Sequence, residues 1–142
     1  MISEFRGKNR FLSNFFSSAI PYNGIVYPSV EHAFQAAKTI DTDSRLRIST
    51  AGSPGEAKKL GRSAKLRDDW EQVKDKVMLN FLRIKFMNAE LRDKLLETGD
   101  SVLIEGNTWH DNYWGNCSCE KCRGIAGKNM LGRLLMQVRR EM

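Results

Sequence analysis

The sequence predicts one α+β domain, mainly helical with a small β component, and three observations lead there. Capping signals followed by apolar residues at helical spacing recur along most of the chain. β signals are confined to one Asn-Gly hairpin and one short run. The 142 residues contain no internal repeat, low-complexity segment or linker-like stretch, so no boundary is placed within 1–142.

Residues 5–27 are aromatic-rich and irregular. Phe11, Leu12, Phe15 and Phe16 surround Ser13-Asn14, either a turn with buried anchors or a polar pair at a pocket rim. Tyr22-Asn23-Gly24-Ile25 signals a hairpin flanked by Ile20 and Val26, because Asn-Gly supplies the positive φ angles of a tight turn. From Tyr27 to Ile40 the spacing predicts a helix capped by Ser29, with Val30, Ala33, Phe34, Ala37 and Ile40 as one buried stripe. Glu31, Gln35 and Lys38 form a second stripe beside Phe34. It is either a surface stripe on a boundary helix or the polar edge of a pocket. Asp43 to Ser49 reads as a short arginine-rich helix. Ser53-Pro54-Gly55-Glu56 starts another, expected to stop at Gly61. Asp68 or Asp69 caps the longest helix, whose seam is Trp70, Val73, Val77, Phe81 and Ile84. Leu91, Leu95 and Leu96 continue as a short helix ending at Gly99, and Ser101 to Glu105 is the best strand candidate after the hairpin, a short one. A final helix faces Leu131, Leu134, Leu135 and Val138 inward.

Lys and Arg outnumber Asp and Glu by 23 to 17, with a pI near 9.4. The excess serves solubility or a phosphate-bearing ligand. No apolar run approaches the ~20 residues of a membrane span, and the first residues lack a signal-peptide core, so the expectation is a cytoplasmic protein without membrane contact. From Asn107 the chain becomes a long loop rich in Trp, Asn, Cys and Gly. Within it Cys117-x-Cys119-x2-Cys122, preceded by His110, has the spacing of a zinc knot or of a reduced thiol-bearing loop. His32, on the first helix, fits a packed neutral histidine equally well. Asp111 beside Tyr113-Trp114, with Trp70 elsewhere, suggests a base-stacking slot next to an acid/base group, or core aromatics with a turn aspartate. Gly127-Lys128-Asn129 opens the last helix, where amides attract anions or simply cap. No P-loop, dinucleotide fingerprint or Ser-His-Asp set is present.

FLSNF at 11–15, YPSVEHAFQAAK at 27–38, WEQVKDKVM from Trp70, LLETGDSVLIE at 95–105, DNYWG at 111–115 and GKNMLGRLLMQVR at 127–139 occur in one order. Together they resemble the NADAR (YbiA-like) family. The resemblance implies a compact, mostly helical fold and N-glycosidase activity without a required cofactor. Family members act on phosphoribosylamino-pyrimidine intermediates of riboflavin synthesis or remove ADP-ribose from guanine in nucleic acid. It further implies that Lys38 holds the sugar as a Schiff base and that Glu31 moves the protons. Asn14, Gln35 and Asp111 would position ribose, Trp70 or Trp114 would stack on the base, and Gly127, Lys128 and Asn129 would receive phosphate. The segment holding Cys117, Cys119 and Cys122 departs from the shorter glycine-rich linkers of other members, and would shape the entrance or bind structural zinc. Basic balance and a small stand-alone chain tilt the expected substrate toward ADP-ribosylated guanine. A non-catalytic ADP-ribose or nucleotide binder and a zinc-stabilised nucleic-acid module are the other classes.

Overall fold

The computed structural model describes residues 1–142 and divides into two compact units, one formed by Asn14–Lys85 and one by Met1–Ser13 with Phe86–Met142. It is mainly helical, with two small two-stranded sheets.

In the Asn14–Lys85 unit, β1 (Ser17–Tyr22) and β2 (Ile25–Ser29) form an antiparallel hairpin with Tyr22 opposite Ile25 and Ile20 opposite Tyr27. Asn23 and Gly24 turn it with φ of 48° and 83°, as a type I′ turn demands. Strand alternation buries Ile20 and Tyr27 and leaves Val26 exposed. β2 feeds directly into α1 (Val30–Ala37), where Ser29 is extended and its hydroxyl accepts from the His32 amide. α2 (Thr42–Ser49) starts on Asp41, and α3 (Pro54–Ser63) starts on Ser53 with Glu56 accepting from the Gly52 amide. α4 (Trp70–Lys85) closes the unit. α1 packs against the hairpin and against α2, α3 and α4, so all eight of its residues are buried.

Three expectations for this unit need correction. α1 ends at Ala37, because the Arg67 amide and guanidinium take the carbonyls of Lys38 and Ala37 and turn the chain away. Ile40 therefore points outward, 75% exposed, and is not part of the stripe. α3 runs through Gly61 to Ser63, since that glycine is a packing position and not a stop. The buried face of α4 is Trp70, Met78, Phe81, Leu82 and Lys85, with Val73, Val77 and Ile84 only half-buried at its edge.

The unit of the two chain ends opens with a 3-10 turn at Gly7–Leu12, whose Phe11 packs edge-on against Phe86. α5 (Ala89–Glu97) is capped by Asn88, and Leu96 is exposed while Leu91 and Leu95 are buried. The strand expected over 101–105 is reduced to one bridge, Ile2 with Leu103, because its backbone partners are scattered: Ile2 bonds Val102 and Ile104, and Asn116 bonds Glu105. The paired strands here are instead β3 (Gly106–Asn107) and β4 (Asn116–Cys117), parallel and two residues long. α6 (Met130–Arg140) buries the four residues expected, Leu131, Leu134, Leu135 and Val138.

Candidate active site

α1 carries a polar row inside the packing of its unit. Gln35 Nε2 donates to Glu31 Oε1 at 2.9 Å, one turn apart, and both residues are buried. Burial pushes the Glu31 carboxyl above its ordinary value; the Gln35 hydrogen bond and the charges of Lys58, Lys38 and His32 oppose this less strongly. Lys38, half-buried at the C-cap, shifts the other way. Burial pulls its amine down, Glu31 opposes, and the nearby cations Lys58 and Arg62 add to the fall. The Lys38 Nζ stands 5.9 Å from the Phe34 ring centroid, and Phe34 meets Trp70 at 5.0 Å. A carboxyl biased toward its acid and an amine biased toward its base thus lie on one helix beside an aromatic wall. Those are the two groups that proton transfer and nucleophilic attack require.

Two acceptors in the same unit await donors. Gln35 Oε1 and Asn14 Oδ1 are buried without a hydrogen-bond partner, whereas buried carbonyl oxygens ordinarily have one. The Asn14 carbonyl fixes its place by accepting from the Glu31 amide. His32 is not part of the polar row. Its Nε2 faces the Ala51 carbonyl at 3.0 Å and must donate there, and its Nδ1 lies 2.7 Å from Ser29 Oγ, so it ties α1 to the loop before α3.

Sequence reasoning placed α3 but missed its part in the site. Ala57 and Gly61 are its buried residues, and a Cβ on Gly61 would overlap the Gln35 side chain, so this glycine makes room for the polar row. Lys58 and Arg62, each one position further on, bring their charges to bear on α1. Ala57-x3-Gly61, small residues one turn apart in an otherwise polar helix, was the available signal.

In the other unit, Asp111 acts as a turn aspartate, its Oδ1 accepting from the amides of Tyr113 at 3.1 Å and Trp114 at 2.9 Å. Tyr113 and Trp114 pack edge to face at 5.0 Å. The free amides expected at the start of α6 are not free. Gly127 donates to Asn116 Oδ1, and Lys128, Asn129, Met130 and Leu131 donate to the carbonyls of Asn112, Gly115, Tyr113 and Trp114. The Asn129 side chain bonds Glu105 N and Leu103 O. Of the three residues expected to hold phosphate, only Lys128 offers a charged group there, its Nζ 5.2 Å from the Tyr113 ring centroid.

The same loop gathers the sulfur residues. His110 Nδ1 lies 3.2 Å from Cys119 Sγ and 3.5 Å from Cys122 Sγ, and Cys117 Sγ accepts from the amides of His110 and Cys119. All three cysteines are free. Elsewhere, a cavity of about 540 Å³ between Thr39–Asp41 and Lys65–Asp69 has neither Glu31 nor Lys38 in its wall.

Residues 3–142 match the family described as the NADAR domain. The chain is 43% identical over 133 residues to the Escherichia coli (strain K12) protein named N-glycosidase YbiA, covering 92% of this chain and 79% of that one. The solved NMR structure of E. coli YbiA superposes with a TM-score of 0.81 at 40% identity, over 99% of this chain and 84% of that one. N-glycosidase Npun_R5314 of Nostoc punctiforme is 39% identical over 91% of this chain and 83% of its own. The Vibrio vulnificus riboflavin biosynthesis protein VVA0006 is 36% identical over 93% of this chain but only 35% of its own length.

Proposed function

This chain belongs to the NADAR domain family, and from that membership we propose that it is an N-glycosidase cutting the bond between ribose C1′ and an exocyclic base amine, with ADP-ribosylated guanine in nucleic acid as substrate. The relatives named N-glycosidases support the reaction class. The observation that carries the mechanism is the α1 row, in which burial biases Glu31 toward its acid and Lys38 toward its free amine.

A ribose joined through nitrogen opens to an iminium at C1′, the ring oxygen taking the proton of the Glu31 carboxyl. The neutral Lys38 amine adds to C1′, and its surplus proton passes through Glu31 to the base nitrogen. The C1′–N bond breaks, the base leaves as its free amine, and the sugar stays on Lys38 as a Schiff base. Water then adds and releases sugar and lysine, so the net change is one bond hydrolysed. Asn14 Oδ1 and Gln35 Oε1, buried acceptors without partners, suit ribose hydroxyl donors. Trp70, whose ring meets Phe34 in the same unit as Glu31 and Lys38, suits stacking on the base. The net charge of +6, with Lys58 and Arg62 beside α1, favours a pyrophosphate-bearing polyanion.

The name of the Vibrio relative favours a second reading, a phosphoribosylamino-pyrimidine substrate. Offering both substrates and following base release by mass spectrometry decides between them: release only from the ADP-ribosylated oligonucleotide is expected. A Lys38→Ala variant separates enzyme from binder. It should lose at least about a hundredfold in kcat while retaining the fold and ligand affinity; retained turnover would overturn the mechanism.

A further inference from the structure

We propose that His110, Cys117, Cys119 and Cys122 form a structural zinc site that braces the 107–122 loop against the start of α6. The four ligand atoms lie within 4.8 Å of one another. Tetrahedral zinc, with bonds near 2.3 Å to sulfur and about 2.0 Å to nitrogen, needs S···S near ~3.8 Å and N···S near ~3.5 Å. The observed 3.2 and 3.5 Å from His110 Nδ1 to two sulfurs lie close to the latter.

Three further observations point to a metal and not to idle thiols. The backbone of His110 is left-handed, with φ of 70°, a conformation unfavourable for a non-glycine residue and kept where something repays it. Here it places Nδ1 between Cys119 and Cys122. The amides of His110 and Cys119 both donate to Cys117 Sγ, the outer hydrogen bonding that orients a thiolate ligand and offsets its charge. Finally, the stretch from Cys119 to Gly124 bonds by backbone only to its own neighbours, apart from the amide of Cys119 on Cys117 Sγ. Ser118, Glu120, Lys121, Arg123 and Gly124 are exposed, yet Cys117 and Cys122 are buried and convergent. A polar loop without an apolar core of its own is the setting in which metal binding supplies folding energy. Three thiolates and a neutral imidazole leave the zinc complex with one negative charge, and Lys121 and Arg123 flank Cys122 in sequence to offset it.

The consequence reaches beyond the metal. Between His110 and Cys117 lie Asn112, Tyr113, Trp114 and Gly115, whose carbonyls receive the first amides of α6. Fixing both flanks of that segment fixes the helix start and the aromatic pair it carries.

The test uses the full untagged chain, reduced and freed of loosely bound metal. Elemental analysis should find about one zinc per chain, and exchange for Co(II) should give the visible bands of a tetrahedral site with thiolate charge transfer in the near ultraviolet. His110→Asn, which tolerates the left-handed backbone, should weaken zinc affinity at least tenfold, and Cys119→Ser should remove the stoichiometric metal. Amides of residues 112–117 should exchange faster when zinc is chelated from the wild type. If the cysteine variant does not fold, the wild-type cobalt spectrum and thiol titration still decide. Wild-type protein without bound zinc, whose three thiols react equally fast with or without added Zn(II), would overturn the proposal, as would a Cys–Cys disulfide in the native chain. Stoichiometric metal that His110→Asn leaves equally tight would overturn the four-ligand assignment.

Discussion

At Glu31 and Lys38 the protein holds a carboxyl above and an amine below their ordinary pKa, and burial is the first cause of both. The reaction needs neutral Lys38 and protonated Glu31. The product of those fractions is flat between the two pKa values and falls on either side. The pH–rate profile is therefore a bell whose two limbs belong to Glu31 and Lys38. Lys58 lowers both pKa values, so Lys58→Met should move both limbs upward. Arg62 bears on Lys38 and is not among the charges acting on Glu31, so Arg62→Gln should move one limb alone, upward, and by less in high salt because Arg62 is exposed. A profile whose limbs stay put in Lys58→Met would contradict the electrostatic assignment. Stability carries the opposite sign from activity. A carboxyl whose folded pKa is raised contributes stability that is lost as pH rises through that pKa. Glu31→Gln keeps the Gln35 bond and removes the charge, so it should raise the melting temperature at pH 7 by roughly 3 °C. The gain should vanish at acid pH, where Glu31 is already protonated, and turnover should be lost. Calorimetry across pH checks this.

At the scale of elements, the site depends on how closely α3 approaches α1, and Gly61 sets that approach. Gly61→Ala adds helix propensity of about 1 kcal/mol, yet its Cβ must displace Gln35, and overpacking of this kind costs about 1–3 kcal/mol. The expected outcome is a slightly lower melting temperature and roughly a tenfold fall in kcat/KM; an unchanged kcat/KM would remove Gln35 from the account. α4 supplies a second element-level prediction. Burial brings Lys85 down to about 7, and a lowered pKa means stability is lost as pH falls toward that value. Wild-type stability should therefore drop between about pH 10 and 7 by more than that of Lys85→Met, measured by denaturant titration. The sequence showed α1 clearly, because Ser29 caps it and Val30, Ala33, Phe34 and Ala37 mark its face. Its end was hidden, since a residue 30 positions away, Arg67, takes the last carbonyls. Gly61 reads as a stop from propensity alone, and only the neighbour across the packing gap shows otherwise. The 101–105 run has strand composition but forms a single bridge, to Ile2 about a hundred residues away, which no local pattern reveals. Cys117, Cys119 and Cys122 were visible by spacing, whereas the turn of His110 toward them depends on its positive φ.

Over the whole molecule, the fold matches that of E. coli YbiA at 40% identity, and the chain carries a net charge of +6. A polyanionic substrate should exploit that charge. Binding of an ADP-ribosylated oligonucleotide to Lys38→Ala should weaken linearly in log[salt], with a slope showing several released counterions. A slope near that for a single phosphoribosyl compound would favour the small-molecule substrate instead. The central claim, that an acid and an amine on one helix act together on C1′, is tested most directly by adding borohydride during turnover and mapping the protein by mass spectrometry. Reduction should leave the sugar bound to Lys38, with no adduct in Lys38→Ala and slower adduct formation in Glu31→Gln. Base release at full rate with no sugar on Lys38 would contradict it.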